Sequence, residues 1–200
     1  MLPDLILVVC TGNVCRSPYV EFTLRDALAD WVRIGSAGTE ALVGEPVDPG
    51  ADELLAAGGI DADGFAARQV TADLVRESTL ILTATRSQRT QVVRMETSGL
   101  RKTFALIDFS DIVAQLDFAQ LQPSFMDPPD LSPLGLLVSG AARHLGRITP
   151  RSADKADIVD PFGQGNRAFK QMQQQIDDAL PPVVTAVTHL YSGRAHTRAS

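Results

Sequence analysis

The chain has 200 residues, 44% hydrophobic and 21% charged, with a formal net charge of −6. That composition fits a globular domain with one buried core, and its acidic balance excludes a protein that holds nucleic acid or acidic membranes through its overall field. Two cysteines make no disulfide framework and no apolar run is long enough to span a bilayer, so a cytoplasmic protein is expected.

The apolar run Asp4 to Val9 predicts a first strand; it is short and lacks the basic flank of a secretion signal. It leads into Cys10, Thr11, Gly12, Asn13, Val14, Cys15, Arg16, Ser17 and Pro18. Ser17 as N-cap and Pro18 in the first turn predict a helix to Trp31. Further strands are predicted at Val32 to Ser36, Thr79 to Thr83 and Thr103 to Ile107. Helices are predicted at Pro49 to Ala57, Ala72 to Glu77 and Gln88 to Glu96. This alternation is that of successive βα units and implies a mainly parallel sheet covered on both faces.

From Ser110 the strand signal stops, and the chain turns proline-rich around Gln122 to Pro133. A helical run follows, Leu134 to Leu145, capped by Ser132 and Pro133. We read residues 110–157 as a helical insertion packed onto the domain. The last helical stretch, Asn166 to Leu190, contains Pro181 and Pro182, which predict a kink or a split near Leu180. A single domain is expected over 1–191, with a small, polar and flexible tail over 192–200.

The turn between the first strand and helix carries the chemistry. Backbone N–H groups at such a turn favour an anion, and inorganic phosphate or a similar oxyanion fits there. Neither a GxxxxGK[ST] run nor a GxGxxG run is present. Cys10, beneath the loop amides and close to Arg16, sits where a thiolate is favoured. Arg16 offers a planar fork to two phosphoryl oxygens, and Gly12 is expected to supply positive φ so that the loop curls inward. His144, His189 and His196 show no ligand-like spacing, so neither a metal nor another cofactor is expected.

The run Cys10 to Pro18 after an N-terminal strand resembles the low-molecular-weight protein tyrosine phosphatases. So do Ser36, Ala37, Gly38 and Thr39, the stretch Ala67 to Thr71, and the loop Asp160, Pro161, Phe162, Gly163. The resemblance covers nearly all the chain except Ser110 to Asp157. It implies an α/β, flavodoxin-like three-layer fold with a central four-stranded parallel sheet, plus the helical insertion.

It also implies roles. Cys10 would attack phosphorus and become a phosphocysteine, with Arg16 and the loop from Thr11 to Cys15 holding the phosphoryl oxygens. Ser17 would donate to the Cys10 thiolate, and Asn13 would brace the loop with help from Ser36. Asp160 would protonate the leaving oxygen and then activate water. The implied partner is a phosphotyrosine-containing protein, with a tyrosine kinase among the candidates. An acid is needed on chemical grounds too, because a phenolate leaves slowly unassisted. Asp48, Asp127 and Asp160 all precede proline; Asp160 is preferred because Phe162, Gly163 and Gly165 follow it.

This sequence also departs from the family pattern. Phe162 stands where a tyrosine commonly lines the entrance, which keeps ring stacking and loses a hydroxyl. Phe65 replaces a histidine that bonds the loop asparagine in some members, so Asn13 needs another partner. Val14 stands where phosphoarginine phosphatases tend to carry threonine, and favours an aromatic ester. Cys15 is placed to form a protective disulfide with Cys10. Two rival readings are a thiol-dependent arsenate reductase, which typically needs more cysteines than the two here, and a silent phosphoprotein-binding module.

Overall fold

A computed structural model describes residues 4–197 apart from 126, 129, 148 and 150. Four parallel strands, β1 (Leu5–Cys10), β2 (Arg33–Gly38), β3 (Leu80–Thr83) and β4 (Thr103–Ala105), lie in the order β2-β1-β3-β4. Ile6 is in register with Ile34 on one side and Leu80 on the other, and Leu82 with Phe104. β1 is buried along its whole length, and the period of two divides its side chains between two cores. Leu7 and Val9 join Ile81, Val75 and Val92 on one face. Ile6, Val8 and Cys10 join Leu80, Leu82 and Phe104 in the larger core on the other. The result is the three-layer flavodoxin-like arrangement expected from the sequence.

The helices are α1 (Arg16–Leu28), α2 (Pro49–Ala57), α3 (Ala72–Glu77), α4 (Arg86–Met95), α5 (Leu106–Val113), α6 (Pro133–His144), α7 (Ala153–Ala156) and α8 (Asn166–Thr197). Several start where the sequence places a cap. Asp48 accepts from the Gly50 amide, Thr71 from Leu74, and Thr85 with Gln88 forms a capping box. Ser17 is not a cap: α1 begins at Arg16 after Cys15, which makes no side-chain cap bond, and Ser17 turns its hydroxyl toward the loop.

Two other expectations are corrected. The last strand ends at Ala105, and α5 follows at once, with Leu106, Ile107, Phe109, Ile112 and Val113 buried and Asp108 and Asp111 on its outer side. Arg86 on α4 holds its first turn, with Nε 2.8 Å from Asp108 Oδ2 and Nη2 2.6 Å from Oδ1. Pro181 and Pro182 do not split α8, which runs on with Leu180, Val183, Ala186 and Val187 buried in the larger core. Core burial on that face outweighs the hydrogen bonds the two prolines cannot make. The segment expected as a tail from 192 begins as the last turns of α8, and 198–200 lie outside the described residues.

α6 buries Leu134, Leu137, Val138 and Ala141 in the larger core and packs on α5 and α8. Ser132 caps it through Gly135 and also donates to Asp4, tying it to the start of the sheet. No helix among the described residues is long and apolar enough to cross a membrane.

Candidate active site

The chain leaves β1 for β2 on one side and later returns for β3 on the other, so the ends of β1 and β3 form the switch point where open α/β sheets bind ligands. Cys10, the last residue of β1, opens the loop there. The segment after β2 fixes that loop from outside. Thr39, Glu40, Leu42 and Asp48 donate their amides to the carbonyls of Cys10, Thr11, Gly12 and Val14 at 2.8 to 3.0 Å. In a trans peptide the next N–H points opposite to the carbonyl. With these carbonyls turned outward, the amides of Thr11, Gly12, Asn13 and Cys15 point inward. Asn13 N–H donates to Cys10 Sγ at 3.3 Å.

The positive φ expected at Gly12 falls on Asn13 instead, at 57°. Asparagine is among the residues that tolerate this region, and three hydrogen bonds hold it there. Its Nδ2 donates to Ser17 Oγ at 2.9 Å and to Ser36 Oγ at 2.8 Å, while its Oδ1 accepts from the Arg68 amide at 2.9 Å. Arg68 is thus the partner that replaces the missing histidine. Phe65 instead packs edge-on against Phe22, centroids 5.9 Å apart. Gly38 is required by close approach: a Cβ there would lie 2.4 Å from the Thr11 carbonyl oxygen.

Ser17 Oγ lies 3.0 Å from Cys10 Sγ. Since Asn13 already donates to Ser17, the hydroxyl proton is free to point at the sulfur. Thr11 Oγ1 accepts from Gln88 Nε2 at 3.0 Å, a contact that sequence reasoning missed because it links a helix cap to a loop 77 positions away. Burial pushes the Cys15 thiol strongly upward, assisted by the charges of Asp48, Cys10 and Asp160, so Cys15 stays protonated beside its neighbour. Both cysteines are unpaired thiols.

Arg16 enters the site from the first turn of α1 and is almost wholly buried. Its Nη2 lies 2.5 Å from Asp160 Oδ2, and its Nε has no partner among the described residues. A buried, unpartnered guanidinium N–H is a donor waiting for an acceptor such as a phosphoryl oxygen.

Asp160 is delivered by the chain between α7 and α8. The Ile158 amide donates to the Ala84 carbonyl at 2.9 Å, Arg86 N–H to Asp157 Oδ1 at 2.8 Å, and Val159 N–H to Gln175 Oε1 at 2.9 Å. Gly163 and Gly165 then turn the chain into α8 with φ of 70° and 76°. Asp157 and Gln175 left no signal in the sequence, since each acts only through distant backbone. Of the other Asp-Pro pairs, Asp48 caps α2, and Asp127 binds Ser139, the Ser124 amide and the guanidinium groups of Arg101 and Arg143.

These groups enclose a cavity of about 170 Å3 with Cys10, Arg16, Cys15 and Asp160 in its walls and Val14, Leu42 and Phe162 as its apolar sides. A larger cavity of about 750 Å3 lies behind the loop, lined by Glu21, Ser36 and Arg68. Only the smaller one holds thiol, guanidinium and carboxylate together.

The comparisons with known proteins agree with this geometry. A family model described as low molecular weight phosphotyrosine protein phosphatase matches residues 5–126. The probable low molecular weight protein-tyrosine-phosphatase EpsP of Ralstonia solanacearum is 43% identical over 101 residues, 50% of this chain and 69% of its own length. Etp of Escherichia coli K12 is 47% identical over 77 residues, 38% of this chain and 51% of its own. Among solved structures, the tyrosine phosphatase AmsI of Erwinia amylovora superposes with a TM-score of 0.66 at 25% identity, covering 92% of this chain and 93% of that one. The YwlE arginine phosphatase of Geobacillus stearothermophilus shares the fold, with a TM-score of 0.68 at 22% identity over 94% of both chains. On the match of the family model over more than half its length, this chain belongs to the low molecular weight phosphotyrosine protein phosphatase family.

Proposed function

We propose that this chain hydrolyses phosphotyrosine in proteins, and aryl phosphates generally, through a phosphocysteine on Cys10. The Cys10 thiolate attacks phosphorus as the bond to the aryl oxygen breaks, and Asp160 gives its proton to that oxygen. Water then attacks the phosphocysteine and gives a proton to the Asp160 carboxylate. The S–P bond breaks, and inorganic phosphate and the thiolate are released. Arg16 and the inward amides hold the equatorial oxygens as charge develops.

The observation that carries this reading is that Cys10 and Asp160 wall one cavity, with the buried Arg16 guanidinium in contact with Asp160. Val14, Leu42 and Phe162 supply apolar contact for an aromatic ring. The substrate is a phosphotyrosine-containing protein, a tyrosine kinase among them, and a reducing cytoplasm suits a mechanism that needs a free thiolate.

The test compares phosphotyrosine, phosphoserine and phosphoarginine hydrolysis by the wild type, Cys10→Ser and Asp160→Asn. Phosphotyrosine is expected to be preferred and Cys10→Ser inactive. Full activity in Cys10→Ser overturns the mechanism, and a preference for phosphoarginine overturns the substrate.

A further inference from the structure

Ser17, Glu21 and Arg25 stand four residues apart on α1 and form one stripe facing β2. Ser17 serves the sulfur. Glu21, one turn on, is a buried carboxylate with no part in the chemistry described above. It accepts hydrogen bonds from the Ser36 hydroxyl through Oε2 and from Arg25 Nη2 through Oε1.

The direction of every proton in this chain is fixed by donor and acceptor counting. Asn13 Oδ1 is engaged by the Arg68 amide, so its Nδ2 faces the two serines. An amide nitrogen has no lone pair to offer, so both hydroxyls accept from it and each must donate its own proton elsewhere. Ser17 donates to Cys10 Sγ, and Ser36 donates to Glu21. Ser36 is buried, so without Glu21 its proton would lack an acceptor, and the hydroxyl would turn away from the geometry that anchors Asn13.

We infer that Glu21 is a positioning residue for the reaction, fixing the Ser36 hydroxyl so that Asn13 holds the loop and Ser17 against the Cys10 sulfur. The inference rests on the phosphocysteine reading of Cys10 proposed above. Glu21 also lines the cavity of about 750 Å3 behind the loop, with Ser36, Arg25, Arg68, Phe22 and Phe65. A substitution there therefore has room and need not disturb the core.

The experiment measures kcat and KM for p-nitrophenyl phosphate in the wild type, Glu21→Gln, Ser36→Ala, their double variant and Arg25→Met, with thermal melts of each. Glutamine keeps the size of Glu21 but replaces one of two acceptors by a donor, while both neighbours donate toward it. The expected result is a fall in kcat of about three- to tenfold in Glu21→Gln, from the weakening of one hydrogen bond. KM should move less than twofold, because Arg16 and the bonds from Thr39, Glu40, Leu42 and Asp48 that anchor the loop from outside are untouched. Ser36→Ala should lose as much, the double variant no more than either, and Arg25→Met should keep its kcat.

An unchanged kcat in Glu21→Gln overturns the inference. So does a multiplicative loss in the double variant, or a loss in Arg25→Met equal to that in Glu21→Gln, which would assign the effect to the ion pair and the helix. If Glu21→Gln does not fold, Glu21→Asp takes its place: withdrawing the carboxylate by one methylene should give the same loss, and an unchanged kcat overturns the inference. Activity retained in Cys10→Ser would defeat the underlying mechanism, whereas an active wild type with a silent Glu21→Gln defeats only this step.

Discussion

Arg16 and Asp160 meet across the cavity, Nη2 to Oδ2 at 2.5 Å, although the arginine side chain is 5% exposed and the aspartate 46%. In the proposed mechanism the acid thus rests on the group that also holds the phosphoryl oxygens, and an incoming dianion competes with it for Arg16. Replacing Asp160 by asparagine removes the proton donor and the competitor together. For an aryl phosphate, kcat is expected to fall on the order of 10²-fold or more. Phosphate should bind more tightly than to the wild type, which calorimetric titration with inorganic phosphate would read. Weaker binding of phosphate would show that Asp160 does not compete for Arg16.

Phe162 is 56% exposed at the rim of the cavity, so its ring has little packing role in the folded chain. Phe162→Ala should raise KM for p-nitrophenyl phosphate about two- to tenfold through lost ring contact, leave KM for an alkyl phosphate unchanged, and leave the melting temperature within error. Equal effects on both substrates would count against stacking.

The alkaline limb of stability follows from two buried groups. Burial, first among its causes, pushes the Tyr19 phenol up from its ordinary 10.0 to about 12; a hydrogen bond with Gln173 works against this, and the Asp177 charge adds to it. Burial pushes Cys15 upward from 9.0 as well. In both, folding favours the protonated form. Their contribution is therefore complete below the unfolded value and is lost as pH rises, from about 9 for Cys15 and between 10 and about 12 for Tyr19. Denaturant unfolding from pH 8 to 11 should show falling stability, with a shallower decline in Cys15→Ala. At neutral pH, iodoacetamide should label Cys10 and spare Cys15.

The sequence made β1 and the loop legible because an all-apolar strand, a thiol, an arginine and Pro18 follow one another without interruption. Asp160 was legible through the residues after it. Gln88, Asp157, Gln175 and the Arg68 amide were not, since each reaches the site by a hydrogen bond across the fold that no local pattern encodes. α5 was missed for a different reason: Leu106 and Ile107 continue the apolar run of β4, so the first turn of the helix reads as more strand.

Leu137 on α6 is fully buried between the segment read as an insertion and the main core. Leu137→Ala should destabilise the chain by about 2–5 kcal/mol in equilibrium unfolding. The kcat of the folded fraction on p-nitrophenyl phosphate should stay unchanged. A stability change below about 0.5 kcal/mol would mean that α6 packs on the domain only loosely.

The four carbonyls of the phosphate loop that accept from residues 39–48 have a thermodynamic consequence. A loop that took shape only around its ligand would lose backbone entropy at each encounter, and affinity would fall by that amount. Here the ordering is completed during folding, in the same cooperative event that forms the sheet. Amide deuterium exchange at Thr39, Glu40, Leu42 and Asp48, whose N–H groups bond those carbonyls, should then be as slow in the free protein as in the phosphate-bound one.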